Sequence, residues 1–176
     1  MTELRLEPLR MAHAAVVEEL VRDPLSVRFT RIPEPAPPGF VRSWLERYEA
    51  GRRDGTREGF AVVDGEGAFL GLALAPSVER EAATAELGYI VAPEARGRGV
   101  GTEALRLLTE WALAQGMARL ELRISVENEA SKKVAARCGY ELEGILRSTY
   151  LKAGRREDTE LWSRLAPGVG DGDLGR

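Results

Sequence analysis

A mixed α/β (α+β) fold in a single domain is predicted by three observations. Several short segments alternate with a period of two, such as Leu4, Leu6 and Leu9 against Glu3, Arg5 and Glu7, and the run Leu120, Leu122, Ile124 and Val126. Others carry a helical period, as in Val100, Ala104, Leu107, Leu108 and Trp111. Asp64-Gly65-Glu66-Gly67 between two apolar runs is hairpin chemistry. The elements read β-α-α-β-β-β-α-β-α-β-β over residues 1–165, seven strands and four helices.

Each element has its own signal. Glu3 to Leu9 is the first strand, and Met11 to Arg22 a helix with Val16, Val17, Leu20 and Val21 inward. The proline-rich stretch Ile32 to Gly39 cannot be regular helix and reads as a stiff loop. Phe40 to Asp54 is the second helix; Phe40, Trp44 and Tyr48 form an aromatic stripe along it, a pattern that suits a core face. Gly59 to Val63 and Ala68 to Ala75 make the hairpin, and Glu79 to Thr84 the next turn. Glu86 to Val91 is a strand closed by Pro93, and the helix from Val100 ends at Gln115-Gly116. Arg119 to Val126 is a strand and Asn128 to Arg137 a short helix; Glu141 to Leu151 and Thr159 to Leu165 are a last strand pair. The Gly- and Asp-rich tail, residues 166–176, is expected to be disordered.

Composition excludes several function classes. A chain of 176 residues with 44% hydrophobic and 30% charged content suits one globular domain. The net charge of −3 argues against a general nucleic-acid binder. There is no long apolar run to span a membrane, and the charged start, Met1 to Leu9, is not a secretory signal. One His and one Cys cannot build a His/Cys zinc site, so no metal is expected. Cys138 cannot form an internal disulfide; it fits a reducing cytoplasm and an apolar context where it fills core.

The organising stretch is Arg96-Gly97-Arg98-Gly99-Val100-Gly101-Thr102, between the strand and the amphipathic helix. Gly97, Gly99 and Gly101 let the backbone turn tightly and approach a ligand. The turn empties into a helix N-terminus, where unpaired N–H groups and the dipole favour an anion. Arg96 and Arg98 add positive charge suited to phosphate. The dinucleotide fingerprint would need glycine where Thr102 stands, and no P-loop G-K-[ST] occurs.

What remains is R-x-x-G-x-G, spelled by Arg96, Gly99 and Gly101, which resembles the acetyl-coenzyme A signature of the GNAT acyltransferases. A second stretch, Asn128 to Tyr140 with Ser131 and Gly139, resembles the other GNAT signature. The continuation Glu143-Gly144-Ile145-Leu146-Arg147, then Gly154 and Asp158, is similar to the RimJ/RimL branch, acetyltransferases of ribosomal-protein N-termini. The resemblance implies a mixed, mostly antiparallel twisted sheet, with the strand ending at Val91 splayed from the strand of Leu120 to Val126.

It also implies direct acetyl transfer from acetyl-CoA to an amine, on a protein N-terminus or a small molecule, without a covalent enzyme intermediate. The backbone of Ile90 and Val91 would pair with the pantetheine arm, and a backbone N–H there would hold the oxyanion. Gly97 to Thr102, with Val100 opening the helix and Arg96 and Arg98 beside it, would take the pyrophosphate. Asn128 would touch the cofactor or simply cap its helix. Trp44 and Tyr48 would border the acceptor groove. Glu86 is the candidate base, or an ordinary strand carboxylate paired with an arginine. The tyrosine that many GNATs use as acid is replaced by Ala135, so Ser131 is the nearest hydroxyl; Tyr140, Tyr150 or no acid are the alternatives. The resemblance suggests a homodimer. A non-catalytic acyl-CoA-binding domain and a nucleotide-binding protein of another fold are the competing classes.

Overall fold

The computed structural model describes residues 3–169. The chain forms β1 (Arg5–Pro8), α1 (Ala14–Leu20), α2 (Pro24–Phe29), α3 (Phe40–Asp54), β2 (Glu58–Val63), β3 (Phe69–Glu79) and β4 (Thr84–Val91). It continues with α4 (Val100–Ala114), β5 (Arg119–Ser125), α5 (Glu129–Arg137), β6 (Glu141–Lys152) and β7 (Arg155–Leu165). The seven strands lie in the order β1-β2-β3-β4-β5-β7-β6. Every neighbouring pair is antiparallel except β4 and β5, which run parallel with α4 as their crossover.

Helices cover both faces of the sheet. Successive strand residues point to opposite faces. On β2, a side chain at Gly59 would meet Tyr48 of α3, whereas the Phe60 ring stacks edge-on against Trp111 of α4, 5.3 Å between centroids. Thus α3 and α4 pack on opposite sides. Leu105 and Leu108 of α4 and Leu120 of β5 are completely buried at the centre of the core.

Two helical expectations are corrected. The single helix over Met11 to Arg22 is a 3-10 turn, Met11–His13, followed by α1. A fifth helix, α2, follows it. Six residues are too few to show a period, but Asp23 caps α2 by accepting from the Ser26 N–H at 2.7 Å, and Pro24 occupies its first position. That Asp-Pro pair was its only sequence signal. Of the tail, residues 170–176 lie outside the described residues; Ala166 still donates to the Ala118 carbonyl at 2.8 Å.

The feature that makes a site is the short contact between β4 and β5. They pair only at Thr84–Arg119, Ala85–Leu120 and Glu86–Glu121. Beyond Glu86, β4 stays with β3 through Tyr89–Ala73, Ile90–Leu72 and Val91–Gly71, while β5 stays with β7. The inner sides of both strands are left without a ladder. The separation coincides with a bulge: β3 carries an extra residue between Leu74 and Ser77, opposite Leu87. A bulge bends and twists its strand, and Pro76, which has no N–H to contribute, sits inside it.

Leu120 is the middle residue of the three-residue contact and is fully buried. Leu120→Ala is expected to cost roughly 2–5 kcal/mol, the range for a leucine cavity in a core that cannot collapse onto it. Urea denaturation followed by circular dichroism measures it.

Candidate active site

The turn from Gly97 to Thr102 presents a row of free donors. Among the described residues, none of the backbone N–H groups from Gly97 to Thr102 makes a backbone hydrogen bond; the first along α4 is Glu103 to the Gly99 carbonyl, 3.1 Å. Gly97 and Gly99 have φ of 72° and 82°, the left-handed region where a side chain is strained. Gly101 is required differently: a Cβ there would lie 3.0 Å from the Tyr89 ring, so its absence seats α4 on β4. These donors and the helix dipole form an anion cradle.

The arginines flanking the glycines do not both face that cradle. Arg96 donates through Nε to the Val91 carbonyl (3.2 Å), through Nη1 to Asp23 Oδ1 (3.2 Å) and through Nη2 to Ser26 Oγ (3.2 Å), and it forms a tight ion pair with Asp23. It ties the end of β4 to the start of α2. Arg98 is exposed and stands off the cavity wall. Lys133 and Arg137, four apart on one face of α5, line the same cavity as the turn. Their spacing was visible in the sequence, but nothing there showed that α5 turns this face to the cavity.

A cavity of about 950 Å³ lies along the open inner edge of β4. Its wall includes Ile90, Val91 and Arg96 at the end of β4, and Gly97, Gly99, Val100, Gly101 and Thr102 of the turn. Asn128 and Ser131 line it from α5, Glu86 from the start of β4, and Trp44 and Tyr48 from α3. The structure thus brings together every candidate residue except Arg98. Trp44 and Tyr48 pack ring to ring at 4.6 Å, serving the core and the wall at once.

Asn128 caps α5: its Oδ1 accepts from the Ser131 N–H at 3.1 Å. Ser131 Oγ accepts from Tyr89 Oη at 3.2 Å. Burial pushes the Tyr89 phenol up to about 12, against the opposing effect of that hydrogen bond, so it keeps its proton at neutral pH. Sequence reasoning missed Tyr89, because an aromatic inside an apolar strand reads as core. Tyr140 is buried with its hydroxyl 2.8 Å from Thr109 Oγ1 and does not line the cavity. Tyr150 lines it, but its hydroxyl donates to the Thr30 carbonyl. Cys138 is buried, with Sγ 3.4 Å from the Thr102 carbonyl, and burial raises its thiol pKa.

Glu86 closes the narrow end of the splay. Its carboxylate pairs with Arg31 at 2.7 Å and Arg123 at 3.6 Å. It is the one carboxylate on the cavity wall, among the described residues.

An N–H-lined turn stands at one end of a gap between two parallel strands. Residues 3–141 match the acetyltransferase (GNAT) domain, and the chain belongs to that family. It is 30% identical over 84 residues to the uncharacterized N-acetyltransferase YoaA of Bacillus subtilis strain 168, covering 47% of this chain and 48% of that protein. It is 31% identical over 83 residues to the ribosomal-protein-serine acetyltransferase of Escherichia coli strain K12, covering 47% of this chain and 46% of that one. In these alignments the chain spans about half the length of the curated relatives it matches.

Among solved structures, the RimL ribosomal alpha-N-protein acetyltransferase in complex with coenzyme A shares the fold at a TM-score of 0.85 and 20% identity, covering 94% of this chain and 95% of that one. The spermidine N-acetyltransferase of Vibrio cholerae with CoA and spermine does so at 0.82 and 21%, covering 92% and 95%. The RimJ/RimL resemblance is consistent with these neighbours. No helix among the described residues is long and apolar enough to cross a membrane.

The Arg96–Asp23 pair yields a pH prediction. The Arg96 guanidinium, assisted by Ser26, holds the Asp23 carboxyl at about 2, below its ordinary 3.8. The unfolded chain therefore takes up the proton first on acidification. The stability from Asp23 is complete above about pH 4 and is lost as pH falls toward about 2. Urea midpoints measured from roughly pH 5 to pH 2 should fall more steeply for the wild type than for Asp23→Asn, which has no such proton to bind.

Proposed function

We propose that this chain transfers an acetyl group from acetyl-CoA to a primary amine, on a protein N-terminus or a small molecule. The observation that carries the reading is the unpaired inner edge of β4, which runs directly into the unpaired N–H groups of Gly97 to Thr102. The family match supports it.

The residues fit acetyl-CoA by their donor chemistry. The cradle N–H groups suit pyrophosphate, with Lys133 and Arg137 adding charge for phosphate on the α5 side. Arg96 orders the turn rather than binding the anion, because its donors are engaged by Asp23, Ser26 and Val91. The free edge of β4 at Ile90 and Val91 suits an amide-bearing arm, and a backbone N–H there would meet a developing oxyanion. Asn128 shapes this wall through the α5 cap. When bound, acetyl-CoA supplies an activated acyl thioester.

Proton handling falls to Glu86 and the Tyr89–Ser131 pair. An α-amine, with a reference pKa of about 7.7–8.0, is partly neutral near pH 7, whereas a lysine amine at about 10.4 is not. Glu86 then needs to accept only the proton released as the amine attacks. Arg31 and Arg123 hold its carboxylate in place, and an α-amine asks less of a carboxylate base than a lysine does. At the other side Ser131 offers its hydroxyl proton to the leaving sulfur, and Tyr89, protonated and hydrogen-bonded to Ser131, replenishes it.

The first test is free-thiol release from acetyl-CoA with a panel of amines, beside calorimetric binding of acetyl-CoA. Glu86→Gln should lower kcat by about 100-fold, the low end for general-base removal, with the binding constant for acetyl-CoA unchanged. Unchanged kcat would remove Glu86 from the chemistry. Tyr89→Phe and Ser131→Ala should each lower kcat, and the double variant should lose no more than the worse single one, because the two act as one relay. Tight acetyl-CoA binding with no turnover on any amine would instead favour a non-catalytic acyl-CoA-binding domain.

A further inference from the structure

The narrow end of the cavity carries a charge imbalance that acetyl transfer alone does not explain. Four guanidinium groups, Arg31, Arg47, Arg57 and Arg123, share this wall with one carboxylate, Glu86. Arg31 and Arg123 both pair with that carboxylate. Arg47 and Arg57 have no ion-pair partner among the described residues. The wall has an excess of three positive charges in a chain whose net charge is −3, so the sign is local and runs against the whole molecule.

An independent observation points into the same space. Tyr48 is 2% exposed and lines the cavity, yet its hydroxyl makes no hydrogen bond to any described residue. Among the described residues every fully enclosed polar side-chain atom has a partner, so this hydroxyl is not fully enclosed, and it belongs to a residue that lines the cavity. Arg57 lies over the Tyr48 ring, 5.3 Å from its centroid. Glu86, Arg31 and Arg47 line the same cavity as this phenol. A buried O–H donor that shares a cavity wall with two unpaired guanidinium groups is the donor set for a carboxylate or phosphonate oxygen pair.

We propose that the acceptor carries an acidic group close to its amine, and that Arg57, Arg47 and the Tyr48 hydroxyl hold that group while Glu86 faces the amine. That the ligand is an amine rests on the acetyl-transfer reading above; the anion subsite does not. A polyamine is the wrong charge type. Its second ammonium would enter a wall of like charge with a single carboxylate to meet it. A free amino acid and a peptide with an acidic residue near its N-terminus both offer the required chemistry.

The test compares matched acceptors with saturating acetyl-CoA: amino acids and aminoethylphosphonate, their neutral amides, amidated dipeptides with acidic or neutral second residues, and spermidine. Acidic members should exceed their neutral partners in kcat/KM by about 10-fold or more, the scale of a charged hydrogen-bonded contact. Arg57→Gln should remove about that factor for acidic acceptors only, and acetyl-CoA binding should stay the same. Arg47→Gln, on an exposed helix position, should act in the same direction without risk to folding. Preference among amino acids or among acidic dipeptides then identifies the source of the anion.

Equal or better turnover of neutral amines or spermidine overturns the proposal. So does an equal loss for all acceptors in Arg57→Gln. If no acceptor turns over, the acetyl-transfer reading fails, and the subsite is judged by titrating N-acetylglycine into the enzyme–CoA complex. Heat that disappears in Arg57→Gln supports it; no heat with the wild type overturns it.

Discussion

β4 leaves β5 after three paired residues, and the site follows from that. A strand in the middle of a sheet normally spends its backbone donors and acceptors on both neighbours. Here β3 holds β4 to Val91 and β7 holds β5 to Ser125, so the two central strands are anchored outward while their inner edges separate. The bulge in β3 lies opposite Leu87, the first residue past the last β4–β5 pair. The extra residue around Pro76 provides the bend, and the buried Leu120 contact sets where the gap begins. The free β4 edge is therefore an unpaired backbone edge inside the fold, protected from the aggregation that an exposed edge invites.

The same economy appears in the charged residues. Arg96 lies in a phosphate-like signature but acts as a tether, joining the β4 terminus to α2 through Asp23 and Ser26. That tether holds the end of β4 next to the glycine turn, whose own N–H groups are left without backbone partners. Lys133 and Arg137 of α5 add further cations to the same cavity wall. Seven cationic side chains and one carboxylate line one cavity, which is therefore basic while the whole chain is acidic. Charge is thus distributed by position, and net charge says little about what the site attracts.

Seven strands and most helices were legible because their apolar periods are local properties of the chain. The helix over Phe40 to Asp54 and the glycine turn opening α4 stand where sequence reasoning put them. α2 was illegible because a six-residue helix shows no period and depends on its Asp23 cap and on packing. Of the candidate site, the glycines, Glu86, Ser131, Asn128, Trp44 and Tyr48 reach one cavity, whereas Arg98 faces solvent. Tyr89 was hidden because a strand aromatic looks like core until its hydroxyl is seen against Ser131.

By itself, then, the sequence determined most of the elements, the turn geometry that glycine favours at Gly97 and Gly99, and the family these motifs imply. Those depend on φ preferences and periods spanning a few residues. Tertiary structure decided which side chains meet: Arg96 with Asp23 across 73 positions, Tyr89 with Ser131 across 42, and Arg31 with Glu86. Partner choice over such separations is set by strand register and by the bulge in β3, and neither is written in a local pattern.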